Sequence, residues 1–279
     1  LFGFAKKVIL ADNVAPVVES VFSSRAPNAL DVGVAMVAFG LQVYFDFSAY
    51  SDIAIGSARM FGFRFPENFN WPFVSRSPQE FWNRWHMTLS RWIRDYVFTP
   101  LAFSTRSRPW AGNVWLVVAM AIFGLWHGAQ WTFVVWGVWQ GLLLVANQTV
   151  LKRFFQSAHE SRLRGLAAMT VTFALITLGW LLFRAESLAQ TADFVRALVT
   201  LRGGIRPSML RVNGILIVFL YFTGMVLMQT TREWVAAWVA REGGTQRVLH
   251  ALRPVVYATL IVAIIIFDQE AKQFVYFQF

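Results

Sequence analysis

No cysteine occurs among the 279 residues, so disulfides, thiolate nucleophiles and Cys-based metal centres are all excluded. Charge is scarce as well. Only 14% of residues are Asp, Glu, Lys or Arg, against about 25% in an average soluble domain. Hydrophobic residues make up 57%, a balance that belongs in a lipid bilayer. Acid is scarcer than base, giving a net charge of +10. The Arg and Lys residues sit between apolar runs, where they hold loops in the cytoplasm and meet anionic headgroups. With the apolar runs set aside, no module with a basic face remains, so nucleic acid is excluded as a partner. The chain also lacks a Gly-x-Ser-x-Gly elbow and a His-Glu-x-x-His motif, which removes serine-hydrolase and zincin chemistry. No metal site is expected.

What is present is a set of long apolar runs rich in Trp and Phe. A spanning helix needs about 20 apolar residues. Leu30 to Phe47 is a first candidate, continuing as a more polar helix to Gly62. Trp110 to Leu151 contains no Lys, Arg, Asp or Glu and is long enough for two spans, with a break near Gly128-Ala129-Gln130. Gly165 to Phe183, Asn213 to Gln229 and a short Val255 to Phe267 follow. The fold class is therefore all-α and integral to the membrane, read as one domain over residues 1–279. The chain starts on Leu1 inside a helical pattern with no signal peptide, and further helices are expected to precede it in a longer protein.

The basic connections 62–109 and 152–164 read as cytoplasmic. Continuing the alternation places 184–211 outside, although it carries Arg184, Arg196, Arg202, Arg206 and Arg211. Either a span is miscounted or the segment around residue 127 crosses only halfway. Residues 79–98 differ from the spans. Phe81, Trp82, Trp85, Leu89, Trp92, Ile93 and Tyr96 share one broad helical face, with Arg84, Arg91, Arg94 and Asp95 opposite, which predicts an amphipathic interfacial helix.

Four histidines remain to be placed. His159 and His250 lie in basic, loop-like stretches and receive no role. His127 lies in the uncharged run, and His86 sits at the edge of the apolar face of 79–98. An imidazole in apolar surroundings is costly unless it has a task or a partner. It can take a proton from a hydroxyl attacking an acyl carbonyl and return one to a leaving group. The bland alternative is that both histidines only bond neighbouring helices. Gly124 and Gly128 leave room beside His127 for another backbone or for a substrate chain. Asp46 and Asp52 read as an ionic staple in preference to a polar substrate lining, with Arg59 as the candidate partner of Asp52.

Several runs resemble the membrane-bound O-acyltransferase family, in its bacterial alginate O-acetyltransferase type. They are Tyr44 to Gly56, Phe65-Pro-Glu-Asn-Phe69, Phe81-Trp-Asn-Arg-Trp-His86-Met-Thr-Leu-Ser90, Gly124-Leu-Trp-His127-Gly128 and the C-terminal Phe274 to Phe279. The resemblance implies a polytopic helical bundle around a tunnel, with interfacial amphipathic helices. It also implies His127 as the catalytic residue and His86 in an orienting or polarising role. The acyl donor, acetyl-CoA or another, would be a co-substrate arriving from the cytoplasmic side, with no bound cofactor. The acceptor would be an exported polysaccharide, and extracytoplasmic acetyltransferase-like proteins would be partners in the bacterial inner membrane. Acyl transfer to peptidoglycan or teichoic acid, transport of the donor without chemistry, and a scaffold serving an active partner remain as alternatives.

Overall fold

A computed structural model describes residues 1–108, 110–203 and 243–267, together with 219, 220, 223, 224, 227, 231 and 274. Among these residues the regular structure is entirely helical. The helices are α1 (Phe2–Ala5), α2 (Asp12–Phe22), α3 (Ala29–Met60), α4 (Pro78–Trp82), α5 (Met87–Ile93), α6 (Thr99–Ser104), α7 (Ala111–His127), α8 (Trp131–Gln148), α9 (Lys152–Gln156), α10 (Arg162–Arg184), α11 (Leu188–Val199) and α12 (Gly243–Phe267). Two π-helical turns, Lys6–Ala11 and Arg94–Phe98, join α1 to α2 and α5 to α6.

Of these, α3 and α10 are long and apolar enough to cross a membrane, and α7 and Leu252–Phe267 are shorter apolar helices. They coincide with the apolar runs of the sequence. The uncharged run becomes a hairpin of α7 and α8, broken at 128–130. Most of the run Asn213 to Gln229 lies outside the described residues, as do Arg206 and Arg211. The described part of 184–211 carries α11, and Arg202 closes onto Asp193 at 2.9 Å.

Within the chain, contacts group the residues into two compact units. One comprises Leu1–Ser24, Val37–Phe65 and the described part of Pro207–Gln278. At its centre Lys7 is buried between Asp46 at 2.8 Å and Asp12 at 2.9 Å, with the Phe274 ring 4.8 Å from the ammonium. Asp52 pairs with Lys6 at 2.8 Å, which corrects the expected Arg59 partner. The π turn brings Lys6 and Lys7 onto α3, and the Asn13 amide donates to the Val8 and Ile9 carbonyls within it. The ionic staple therefore exists, between elements and not along α3.

The other unit comprises Arg25–Met36, Pro66–Arg206 and Phe279, the last outside the described residues. Its hairpin packs closely because small residues face each other. A Cβ on Gly124 would lie 2.1 Å from the Phe133 carbonyl oxygen, and one on Gly137 would lie 2.1 Å from that of Met120. The room beside His127 is thus filled, at Gly124 by the backbone of α8 and at Gly128 by the Phe133 ring. Across α8 lies α10, where Gln140 faces Gly179 and the Trp139 indole donates to the Leu175 carbonyl.

The expected single helix over 79–98 is broken. Ser77 caps α4 by accepting from the Glu80 amide, with Pro78 in the first turn. After Trp82 the chain is diverted by strand-like bonds to the preceding segment: the Asn70 amide donates to the Arg84 carbonyl, and the Met87 amide to that of Asn68. His86 takes φ 42° and ψ 51°, the left-handed region that a non-glycine residue seldom occupies. The helix then restarts at Met87. Periodicity sees Phe81, Trp82, Trp85 and Ile93 correctly as buried, whereas Trp92 and Tyr96 are exposed and lie against each other.

Candidate functional site

His127 ends α7 and His86 occupies the break between α4 and α5, so both imidazoles stand at helix termini. The fold brings them together. Each ring packs against Phe123, at 6.3 Å from His86 and 5.4 Å from His127, and against Trp126, at 6.1 and 5.0 Å. The two imidazoles therefore share one aromatic floor. His127 also touches Phe133, Trp136 and Phe183, so aromatic rings from three helices enclose it. His86 is buried, while His127 is partly accessible beside the exposed Ala129, Gln130 and Trp131 of the helix break. His159 and His250 have side chains outside the described residues.

The position of His86 is set by Asn68. The Asn68 Oδ1 lies 3.2 Å from His86 Nδ1, 3.2 Å from the Thr88 amide and 2.9 Å from Thr88 Oγ1. Since the Thr88 amide can only donate, that atom of Asn68 is the carbonyl oxygen. The His86 Nδ1 therefore carries the hydrogen, and Nε2 keeps the lone pair. A left-handed residue pinned by three donors converging on one oxygen is local strain held by its surroundings, an arrangement common at active sites. Burial pushes the His86 imidazole down to about 4, so it is neutral near pH 7 and available as a base or acceptor.

Asn68 carries no role in the sequence reading, although it lies within Phe65-Pro-Glu-Asn-Phe69. The available signal was an amide 18 positions from His86 in an otherwise extended, exposed segment. Behind the histidines a cavity of about 380 Å³ opens between α4–α5 and the α7–α8 hairpin. Trp82 and Phe123 form part of its inner wall, and Gln79, Asn83 and Arg91 stand where the lining is exposed. Among the described residues no group of three or more His, Asp and Glu is placed to hold a metal.

A profile of the membrane-bound O-acyltransferase family matches residues 30–184, a stretch that contains Asn68, His86 and His127. A probable alginate O-acetylase of Azotobacter vinelandii is 42% identical over 186 residues, 67% of this chain and 36% of that protein. A peptidoglycan O-acetyltransferase of Helicobacter pylori is 33% identical over 207 residues, 72% of this chain and 38% of its own length. A teichoic acid D-alanyltransferase of Streptococcus thermophilus is 31% identical over 206 residues, 66% and 49%. The chain thus spans between about a third and a half of the length of these curated relatives. With a family match covering more than half of its residues and both apolar-facing histidines, this chain belongs to the membrane-bound O-acyltransferase family.

Proposed function

We propose that the protein to which this chain belongs is a multi-pass inner-membrane O-acetyltransferase that passes an acetyl group from a cytoplasmic donor, acetyl-CoA or another acyl thioester, to an exported polysaccharide. The observation that carries this reading is the convergence of His86 and His127 on one aromatic floor, with the His86 tautomer fixed by Asn68. The similarity to probable alginate O-acetylases supports alginate or a related polymer as the acceptor.

In the transfer, the acceptor oxygen bonds to the acyl carbon as its proton passes to His127. The carbonyl electron pair moves onto oxygen. On collapse the C=O re-forms, the C–S bond breaks, and the proton returns from the imidazolium to the thiolate. With Nδ1–H committed to Asn68, neutral His86 offers a lone pair and no donor at Nε2. It suits orienting the attacking hydroxyl and not polarising the carbonyl. The apolar enclosure limits competing hydrolysis of the thioester.

Replacing His127 by Ala in the full-length protein tests this reading. Loss of acetyl from the exported polymer at normal protein level is expected, and unchanged acetyl content would sink it. The peptidoglycan and teichoic acid relatives support a second reading with another acceptor or acyl group, which mass analysis of the modified polymer separates from the first. Extracytoplasmic acetyltransferase-like proteins complete the system in this proposal, with residues 184–211 as a candidate contact. Intact copurification after replacement of that segment rules the contact out.

A further inference from the structure

Between Asp95 and Glu186 the only acidic residue is Glu160, against seven Lys and Arg. The fold gathers six of the seven at one end of the α7–α8 hairpin and α10. Gln148, the last residue of α8, donates from Nε2 to Asn113 Oδ1 in the first turn of α7 at 2.9 Å, so the turns flanking that bond lie together. One, 105–110, carries Arg106 and Arg108 and is tied down where the Trp115 indole donates to Thr105 Oγ1 at 2.8 Å. The other, 149–153, carries Lys152 and Arg153. From there Leu151, Phe155 and Ala158 pack on Ala168 of α10. Gly165 comes so near that a Cβ on it would lie 3.0 Å from the Ala158 carbonyl oxygen. This packing brings the first turn of α10, with Arg162 and Arg164, to the same end. The seventh cation, Arg184, follows Phe183 at the His127 end.

Arg164 is held by Glu160. Arg106, Arg108, Lys152, Arg153 and Arg162 are exposed, and among the described residues no carboxylate pairs with them. Like charges gathered on three neighbouring turns repel one another and gain when an anion comes among them. Apolar side chains stand between these cations. Val150 is 82% and Leu163 78% exposed, and Phe103 and Trp110 are exposed as well. α10 is long and apolar enough to cross a membrane, so its basic first turn stands where headgroups begin. A free anion or an acidic protein would meet the cations and leave the apolar groups in water, whereas a phospholipid meets both.

We infer that this end of the molecule is a binding site for anionic phospholipid. Cations from three turns hold the phosphate, and the acyl chains lie along Val150, Leu163, Phe103 and Trp110. The guanidinium groups suit phosphate because each offers two parallel N–H donors. Over its 17 residues α7 rises about 25 Å between this end and His127, so the site lies apart from the transfer chemistry. It stands or falls independently of the function proposed above.

The test uses the full-length protein purified in a neutral detergent and titrated with phosphatidylglycerol or, as the zwitterionic control, phosphatidylcholine. Native mass spectrometry counts the lipid bound. Retention of phosphatidylglycerol over phosphatidylcholine is expected. Each cation beside a lipid phosphate contributes about fivefold in affinity, so the triple variant Arg108→Gln, Lys152→Gln, Arg153→Gln should weaken phosphatidylglycerol binding on the order of 100-fold. Glu160→Gln releases Arg164 and should tighten binding about fivefold, a gain that a folding defect does not imitate. The pair Arg59→Gln with Arg64→Gln removes exposed charge from the other compact unit and should bind as wild type does.

Equal retention of the two lipids overturns the inference. So does an equal loss in the triple and the control variants, because net charge and not this site would then attract the lipid. Other occupants reveal themselves in phosphatidylcholine vesicles. A raised KM for an acetyl thioester of coenzyme A in the triple variant would show that the cluster holds the donor's phosphates, and lost retention of an acidic carrier protein would show a protein contact. Either result overturns the lipid site. Binding is read without turnover, so a protein that transfers nothing refutes the proposed function and leaves this site testable by the same titration.

Discussion

Replacing Asn68 by Ala isolates the device that sets His86. The substitution removes one oxygen that accepts from His86 Nδ1, the Thr88 amide and Thr88 Oγ1, at 3.2, 3.2 and 2.9 Å. Each neutral bond contributes about 0.5–1.5 kcal/mol net, and two of the three are long, so about 2–3 kcal/mol of local stability is lost. The left-handed conformation of His86 itself costs on the order of 1–3 kcal/mol, held in place by this network. Released, the 83–88 segment relaxes toward ordinary backbone and the imidazole loses both its fixed tautomer and its position. Thermal unfolding of the purified full-length protein should fall by roughly 5 °C or more. Transfer should drop about 10- to 100-fold, a fraction of what a positioned proton-transfer group contributes. Asn68→Asp separates the two effects. It keeps the acceptor and hence most of the stability, but its charge favours the imidazolium and lifts the acidic limb of the pH–rate profile. Asn68→Ala with wild-type melting and wild-type transfer would refute the argument. So would an Asn68→Asp profile that coincides with wild type.

Further outcomes follow from other parts of the molecule. His86 holds its proton below about pH 4 when folded but near 6.5 when unfolded, so below pH 6.5 the unfolded chain binds a proton that the native one does not. The stability linked to this group is present above pH 6.5 and is lost as pH falls toward 4. His86→Asn should flatten the acid side of a melting-versus-pH curve, and an unchanged slope there contradicts the burial argument. Gly137→Ala drives a methyl against the Met120 carbonyl, a backbone atom that cannot swing away, and should cost about 1–3 kcal/mol or more in the melting of the purified protein. Lys7→Met leaves Asp46 buried without its partner and should destabilise by about 3–5 kcal/mol, whereas the double change Lys7→Met with Asp46→Leu should recover most of that loss. A double variant no better than the single would show that the charges contribute little.

The sequence exposes what depends on composition and period. The apolar runs become α3, α10 and the α7–α8 hairpin because twenty uncharged residues have few other structures open to them in lipid. The hairpin break is legible at Gly128-Ala129-Gln130 for the same reason that His127 is: both interrupt an otherwise uniform run. What periodicity misses is anything fixed by a bond from distant chain. The 79–98 segment has a clean helical face, yet two backbone bonds from residues 68 and 70 stop the helix and turn His86 inward. Asp52 shows the same limit, since its helical neighbour Arg59 is the obvious partner on paper and Lys6, from another helix, is the one in space. Asn68 was invisible for a third reason. An amide has no pattern of its own, and only the three donors around its oxygen give it meaning.

The buried Lys7 also carries a consequence for biogenesis. Its carboxylate partner Asp46 lies 39 positions later, and the ring over its ammonium belongs to Phe274 near the other end of the chain. At roughly 5–20 residues per second of synthesis, Lys7 is made some seconds before Asp46. Over that interval Asp12, five positions on and 2.9 Å from the same ammonium, supplies a countercharge from its own segment. The salt bridge thereby orders assembly: a local ion pair forms first, and α3 joins it by bringing the second carboxylate.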